Sequence, residues 1–156
     1  MDKKILHTVI DNHAIVTPNK LALKEFSGKQ ISYIRFKEES DSIAKFLCLL
    51  NIGTGKVIGV FMPAAIDYVV SILGVNKSGN IFMPLSPDYP ENRLVNLVER
   101  VQPECYITNE ENLKDLKRLL GTIEAPIVTI NAIETNCIWY GFNVFGLCIV
   151  SLGDRR

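Results

Sequence analysis

The chain has 156 residues, 47% hydrophobic and 22% charged, with 17 basic and 17 acidic side chains and hence no formal net charge. That length suits one domain rather than two, and that much apolar material can build a core, which argues against disorder. Zero net charge leaves no electrostatic footprint for nucleic acid or an anionic membrane, since both need clustered Lys and Arg.

The N-terminal run from Met1 to His7 lacks an apolar core of signal-peptide length, so a cytoplasmic protein is expected. Residues 4 to 12 suit a short helix with an apolar stripe of Ile5, Val9 and Leu6, ended by Pro18. Leu21 to Leu23 with Phe26, a Ser27-Gly28-Lys29 turn and Gln30 to Ser32 predict a hairpin. Ser32 stands where a helix N-cap belongs. After it, Tyr33, Phe36, Ser40, Ile43, Leu47 and Leu50 recur at three- and four-residue steps, the clearest helical periodicity in the chain. The charged residues between 35 and 45 read as its solvated face, and Gly53 and Gly55 as its stop.

Val57 to Phe61 is a continuous apolar run, as in a strand covered on both faces. Residues 65 to 75 are apolar nearly all round and predict a buried helix closed by Ser78-Gly79. Ile81 to Met83 reads as a strand. Pro84, Pro87 and Pro90 then read as a rigid loop that cannot continue a central strand. Asp88 and Glu91 have capping-box spacing for a helix over about 90 to 101. Glu104 to Thr108 is a strand, Asn109 caps a helix with Leu113, Leu116, Leu119 and Leu120 on one face, and Pro126 to Ile130 is a last strand. Helices alternating with short apolar strands predict an α/β fold of mostly parallel strands packed between helices.

Candidate chemistry is sparse. Gly53-Thr54-Gly55-Lys56 fails as a phosphate loop: position 50 is Leu rather than Gly, position 57 is Val rather than Ser or Thr, and the glycines follow a helix instead of opening one. His7 and His13 are six residues apart, off any common helical face, and read as surface residues. Asp11 and Glu25 have no evident partner for acid/base work. Cys48, Cys105, Cys137 and Cys148 form no C-x-x-C pair, so they read as reduced, buried thiols.

Two stretches are more specific. Ile31-Ser32-Tyr33-Ile34-Arg35-Phe36 is followed at helical spacing by Ala44 and Leu47, and Val75 to Pro90, reading VNKSGNIFMPLSPDYP, continues to Arg93-Leu94. Together they resemble the first two core motifs of the adenylation domains of nonribosomal peptide synthetases, within the adenylate-forming, AMP-binding superfamily. Thr17-Pro18 before the first strand resembles the family's opening, and the likeness covers about residues 3 to 131. Arg35, Phe36, Asn76, Ser78 and Ser86 depart from the residues usual in the family, which fits either a divergent branch or relaxed constraint.

The resemblance implies the N-terminal portion of the large adenylate-forming subdomain. It implies an enzyme that uses ATP and magnesium to convert an amino acid to aminoacyl-AMP and passes it to the phosphopantetheine thiol of a carrier protein. The family's phosphate grip, a loop like SG[ST]TGxPKG, would start soon after residue 140, where this chain has no such sequence. The resemblance therefore implies a fragment, inactive alone and binding no cofactor by itself. Lys77 and Arg93 match family positions, but no residue is assigned a catalytic, cofactor-binding or metal role.

Residues 1 to 133 are expected to form the family-like part and residues 134 to 156 an apolar tail unlike it, either native or an artefact of the gene model. The apolar run 137 to 150 is shorter than the roughly 20 residues a membrane helix needs, so no membrane span is expected. Two other functions compete: a non-catalytic interaction module using the tail, and a fragment of an acyl-CoA or fatty-acyl ligase, against which the proline-rich element argues.

Overall fold

The computed structural model describes residues 6–122 and 124–130. The expectations for residues 134 to 156, with Cys137 and Cys148, lie outside them.

Helix α1 (Leu6–Val16) leads into strands β1 (Leu21–Lys24) and β2 (Gln30–Ser32), an antiparallel hairpin as predicted. Helix α2 (Tyr33–Leu49) follows, then β3 (Val57–Phe61), α3 (Ile66–Lys77), β4 (Ile81–Leu85), α4 (Glu91–Val101), β5 (Cys105–Thr108), α5 (Glu110–Leu120) and β6 (Ile127–Thr129). The four later strands form one parallel sheet in the order β4-β3-β5-β6. The chain steps from β3 to β4, then crosses back over β3 to reach β5. Right-handed crossovers taken in opposite directions put their helices on opposite faces.

The two apolar clusters agree with that layering. Ile58, Val60, Cys105, Ile107 and Val128 pack with Phe36, Ile43 and Leu47 of α2 and Val70 and Leu73 of α3. Phe61, Met83, Leu85, Tyr106 and Ile127 pack with Leu94 and Val98 of α4 and Leu116 and Leu120 of α5. Alternate residues of β3 and β5 thus serve opposite faces, as the two-residue period of a strand requires. Burying a side chain such as Ile43 or Leu47 stabilises the fold by about 2 kcal/mol.

Several local expectations are corrected. In α1 Ala14 is buried and the half-buried Ile10 packs against the core, while Leu6, expected in the stripe, is exposed; Ile5 lies outside the described residues. Ser32 is the N-cap of α2, but its side chain makes no capping hydrogen bond. Helix α2 stops at Leu49, before the glycines, and Asn51 takes the left-handed turn at φ 54°. Pro84 lies inside β4 rather than in a loop; β4 is an edge strand, where a missing N–H faces no neighbour. Asp88 and Glu91 form no capping box: α4 starts after Pro90 without a side-chain cap, and the Asp88 N–H donates to Ser86 Oγ at 3.3 Å. Asn109 does cap α5, its side chain accepting the Asn112 N–H at 3.0 Å. Phe26 belongs to no strand and stands fully exposed in the hairpin turn.

Tyr106 is fully buried, and its hydroxyl is the one buried side-chain polar atom among the described residues with no hydrogen-bond partner. An unmet hydroxyl in an apolar layer costs about 1–3 kcal/mol of desolvation. Tyr106→Phe keeps the ring and removes that cost. Chemical denaturation should therefore show the variant at least as stable as the parent, with a gain of about 1 kcal/mol. A clear loss of stability would mean that the hydroxyl has a partner in solution.

Candidate functional site: the carboxyl end of the sheet

In a parallel sheet, ligand crevices open outside the carboxyl ends of strands where neighbouring connections leave toward opposite faces. Here β3 is followed by α3 on one face and its neighbour β5 by α5 on the other. The strands end level: Phe61 is in register with Leu85 and with Thr108. Thr108 Oγ1 donates to the Phe61 carbonyl at 2.7 Å, which ties the ends of β3 and β5 together.

The proline-rich segment 86–90 leaves β4 at this edge. Its conformation is set by the Ser86–Asp88 turn and by a Tyr89 N–H bond to the Ser86 carbonyl at 3.0 Å. The Arg93 guanidinium lies 4.3 Å from the Tyr89 ring centroid, a cation–π contact across the start of α4. A cavity of about 260 Å³ opens here, lined by Phe61, Pro87, Tyr89, Glu91, Leu94, Asp115, Arg118 and Leu119. It is smaller than the roughly 300–1,000 Å³ of ordinary ligand pockets. Arg118 is turned to Asp115 at 3.4 Å.

The residues weighed from sequence do not gather here. Gly53 to Lys56 lie at the amino end of β3, the other end of the strands. The Gly55 N–H is bonded to the Gly79 carbonyl at 2.8 Å and the Lys56 N–H to Asn80 Oδ1 at 3.0 Å, so neither is free to cradle an anion. At α3 the first N–H, from Ile66, is taken by Glu25 at 2.7 Å. No three His, Cys, Asp or Glu come together for a metal among the described residues. These residues do not by themselves fit the triphosphate of ATP or its magnesium. His13 is exposed and stacks on Tyr33 with ring centroids 4.8 Å apart.

Lys77 has a role that its sequence position hid. It is 7% exposed and bonds Asp11 of α1 at 2.8 Å and Asp41 of α2 at 2.6 Å. Asp41 also pairs with Lys37, so this part of the α2 charge pattern is an interhelical junction rather than a solvated face. Lys77 thus joins three helices and is not among the residues lining the cavity above. Asp11 and Glu25, expected to lack partners, both have them; periodicity carries no trace of contacts 66 and 41 residues apart.

The thiols divide. Cys48 is exposed, against expectation, while Cys105 is buried in the sheet, and burial pushes its thiol up to about 12. A thiol so rarely ionised is a poor nucleophile. Brief alkylation of the native protein with peptide mapping should modify Cys48 and leave Cys105 untouched. Equal labelling would show that the sheet opens on the alkylation timescale.

Known proteins give the frame for this geometry. Residues 10–138 match the AMP-binding enzyme family. The chain belongs to that family. It is 32% identical over 106 residues, 68% of its length, to a dimodular nonribosomal peptide synthase of Bacillus subtilis (strain 168). It is also 32% identical over 129 residues, 83% of its length, to the nonribosomal peptide synthetase atnA of Emericella nidulans. The chain spans only 4% and 2% of those relatives. Its fold matches the four-domain nonribosomal peptide synthetase AB3403, solved bound to AMP and glycine, with a TM-score of 0.71 and 24% identity. That match covers 83% of this chain and 9% of the other. As an AMP-binding family member the chain corresponds to the N-terminal part of a nonribosomal peptide synthetase adenylation domain. The motif-like stretches 31–36 and 75–90 fall on the β2–α2 junction and on the α3–β4 unit with its proline-rich exit.

Proposed function

We propose that this chain supplies the N-terminal framework of an adenylation unit that activates an amino acid in the cytoplasm. In the proposed reaction of the complete unit, a carboxylate oxygen attacks the α-phosphorus of magnesium-bound ATP and pyrophosphate leaves. The aminoacyl group then passes to the phosphopantetheine thiol of a carrier protein. The framework alone is proposed to be inactive.

The observation that carries this reading is the segment Pro84 to Pro90, leaving the carboxyl end of β4 with Leu85 buried and Tyr89 held against Arg93. It is the element that resembles the amino-acid-activating branch, and the relatives above are peptide synthetases. Support for inactivity comes from backbone N–H groups already engaged at Gly55, Lys56 and Ile66.

Long-read sequencing of the transcript through codon 130 and beyond, followed by ATP–pyrophosphate exchange with the encoded protein, tests both statements. A message reading into a Ser/Thr/Gly-rich loop that ends in Pro-Lys-Gly, with exchange driven by amino acids, is expected. Exchange driven by fatty acids alone would move the chain to the acyl-CoA ligase branch. Exchange by the 156-residue chain itself would overturn the proposed inactivity.

A further inference from the structure

The β1–β2 hairpin is fixed to the rest of the fold at its base, along β1, where Ala22 and Leu23 pack against the core, and at its tip. Its base is held by backbone bonds, Tyr33 N–H to the Lys20 carbonyl and Ile34 N–H to the Pro18 carbonyl, both 3.0 Å, and by the buried Ile31. Its tip is held by side chains. Glu25 Oε1 accepts the Ile66 N–H at 2.7 Å, and Lys29 Nζ lies 2.6 Å from Asp67 Oδ1. Ser27 Oγ donates to the other Glu25 oxygen at 2.8 Å and fixes the carboxylate's direction.

Both tip contacts fall on the first two residues of α3. The residue at the N-cap of α3 is Ala65, in extended conformation at φ −144° and ψ 178°, with no side-chain oxygen to offer. A helix start of this kind leaves backbone N–H groups unmet. Glu25 meets one of them from 41 residues away, and its negative charge also suits the positive end of the helix. The hydrogen bond from Ile66, and then that from Ser27, holds the Glu25 carboxyl below its ordinary range. The same start is the exit from β3: residues 62–65 run from the carboxyl end of the central strand into α3.

We propose that Glu25 is a detachable cap, a latch that couples the position of the hairpin tip to the order of the first turn of α3. When the tip lifts, α3 loses its cap and the connection leaving β3 loosens. When the tip is seated, both are ordered together. The base bonds let the tip move without unpairing the hairpin from the core. Phe26, fully exposed in the turn beside Glu25, is the point at which a load on the tip would act.

Amide hydrogen exchange on the whole chain tests the latch. In Glu25→Ala the amides of Ile66, which loses its acceptor, and of Val69, whose bond to the Ala65 carbonyl closes the first turn of α3, should exchange about five- to tenfold faster, the change that losing an N-cap brings. Gly28 and Lys29 in the tip should speed up with them. In Glu25→Ala/Ala65→Ser the new serine supplies a local cap, so Val69 should recover while Gly28 and Lys29 stay fast. Glu25→Gln keeps an acceptor without the charge and should fall between the parent and the alanine variant. Unchanged exchange at Ile66 in Glu25→Ala would overturn the proposal. So would recovery of the hairpin tip by Ala65→Ser, because α3 and the tip would then not be joined through Glu25.

Discussion

Replacing Lys77 by methionine should lower stability by about 3 kcal/mol and the melting temperature by about 10 °C. Methionine keeps most of the stem's packing but leaves the carboxylates of Asp11 and Asp41 facing each other without the ammonium between them. Removing one partner of a buried ion pair typically costs about 3–5 kcal/mol. The lower end applies because Asp11 and Asp41 retain 30% and 28% side-chain exposure and water offsets part of the loss. Asp11→Asn should cost less, since Lys77 keeps Asp41. Its effect should concentrate on α1, which would show as faster amide exchange there. A Lys77→Met variant melting with the parent would mean that the three-helix junction contributes nothing.

The same junction sets a pH dependence. Burial pushes the Asp41 carboxyl up, and the bonds from Lys37 and Lys77 outweigh it, leaving the group below its ordinary range. A carboxyl depressed in the folded state stabilises the fold above its unfolded value and loses that contribution as the pH falls toward the folded value. Stability should therefore hold above about pH 4 and decline below it. In Lys77→Met this acid-side decline should be shallower, because the depression of Asp41 is reduced.

Gly74 is the second position where a small change should have a large effect. A Cβ there would lie 2.6 Å from both Cβ and Cγ2 of Ile43 and 3.0 Å from the Ser40 carbonyl oxygen. Those atoms belong to the backbone and branch point of α2 and cannot swing aside. Alanine would gain about 1 kcal/mol of helix propensity. Against that stands the separation of two helices packed at their closest approach, and overpacking costs about 1–3 kcal/mol, occasionally more. Denaturant melts should therefore show Gly74→Ala destabilised by about 1–2 kcal/mol and Gly74→Leu further still. A stabilised Gly74→Ala would show that α2 and α3 can part at little cost.

Much of the framework was legible because it is written in periodicity. The α2 stripe at Phe36, Ser40, Ile43 and Leu47 is the buried face, and the run Val57 to Phe61 is the strand covered on both sides. The Pro84 to Pro90 element was legible as a motif, but its geometry was not. Whether Pro84 can sit in a strand depends on whether that strand is at an edge, which strand order decides and local sequence does not. Asp88 had the spacing of a cap, yet the Ser86 hydroxyl claimed its N–H first. Lys77 and Glu25 were opaque for a different reason. Each acts through partners 36 to 66 residues away, and such pairings exist only once α1, α2, α3 and the hairpin are in place.

The framework role can be tested by transplantation. Residues 10–130 of this chain would replace the corresponding segment of an adenylation domain from the Bacillus subtilis dimodular synthase, and amino-acid-dependent ATP–pyrophosphate exchange would be measured. The account predicts a folded hybrid that exchanges pyrophosphate with the host's own amino acid. A hybrid that folds cooperatively and shows no exchange would contradict it.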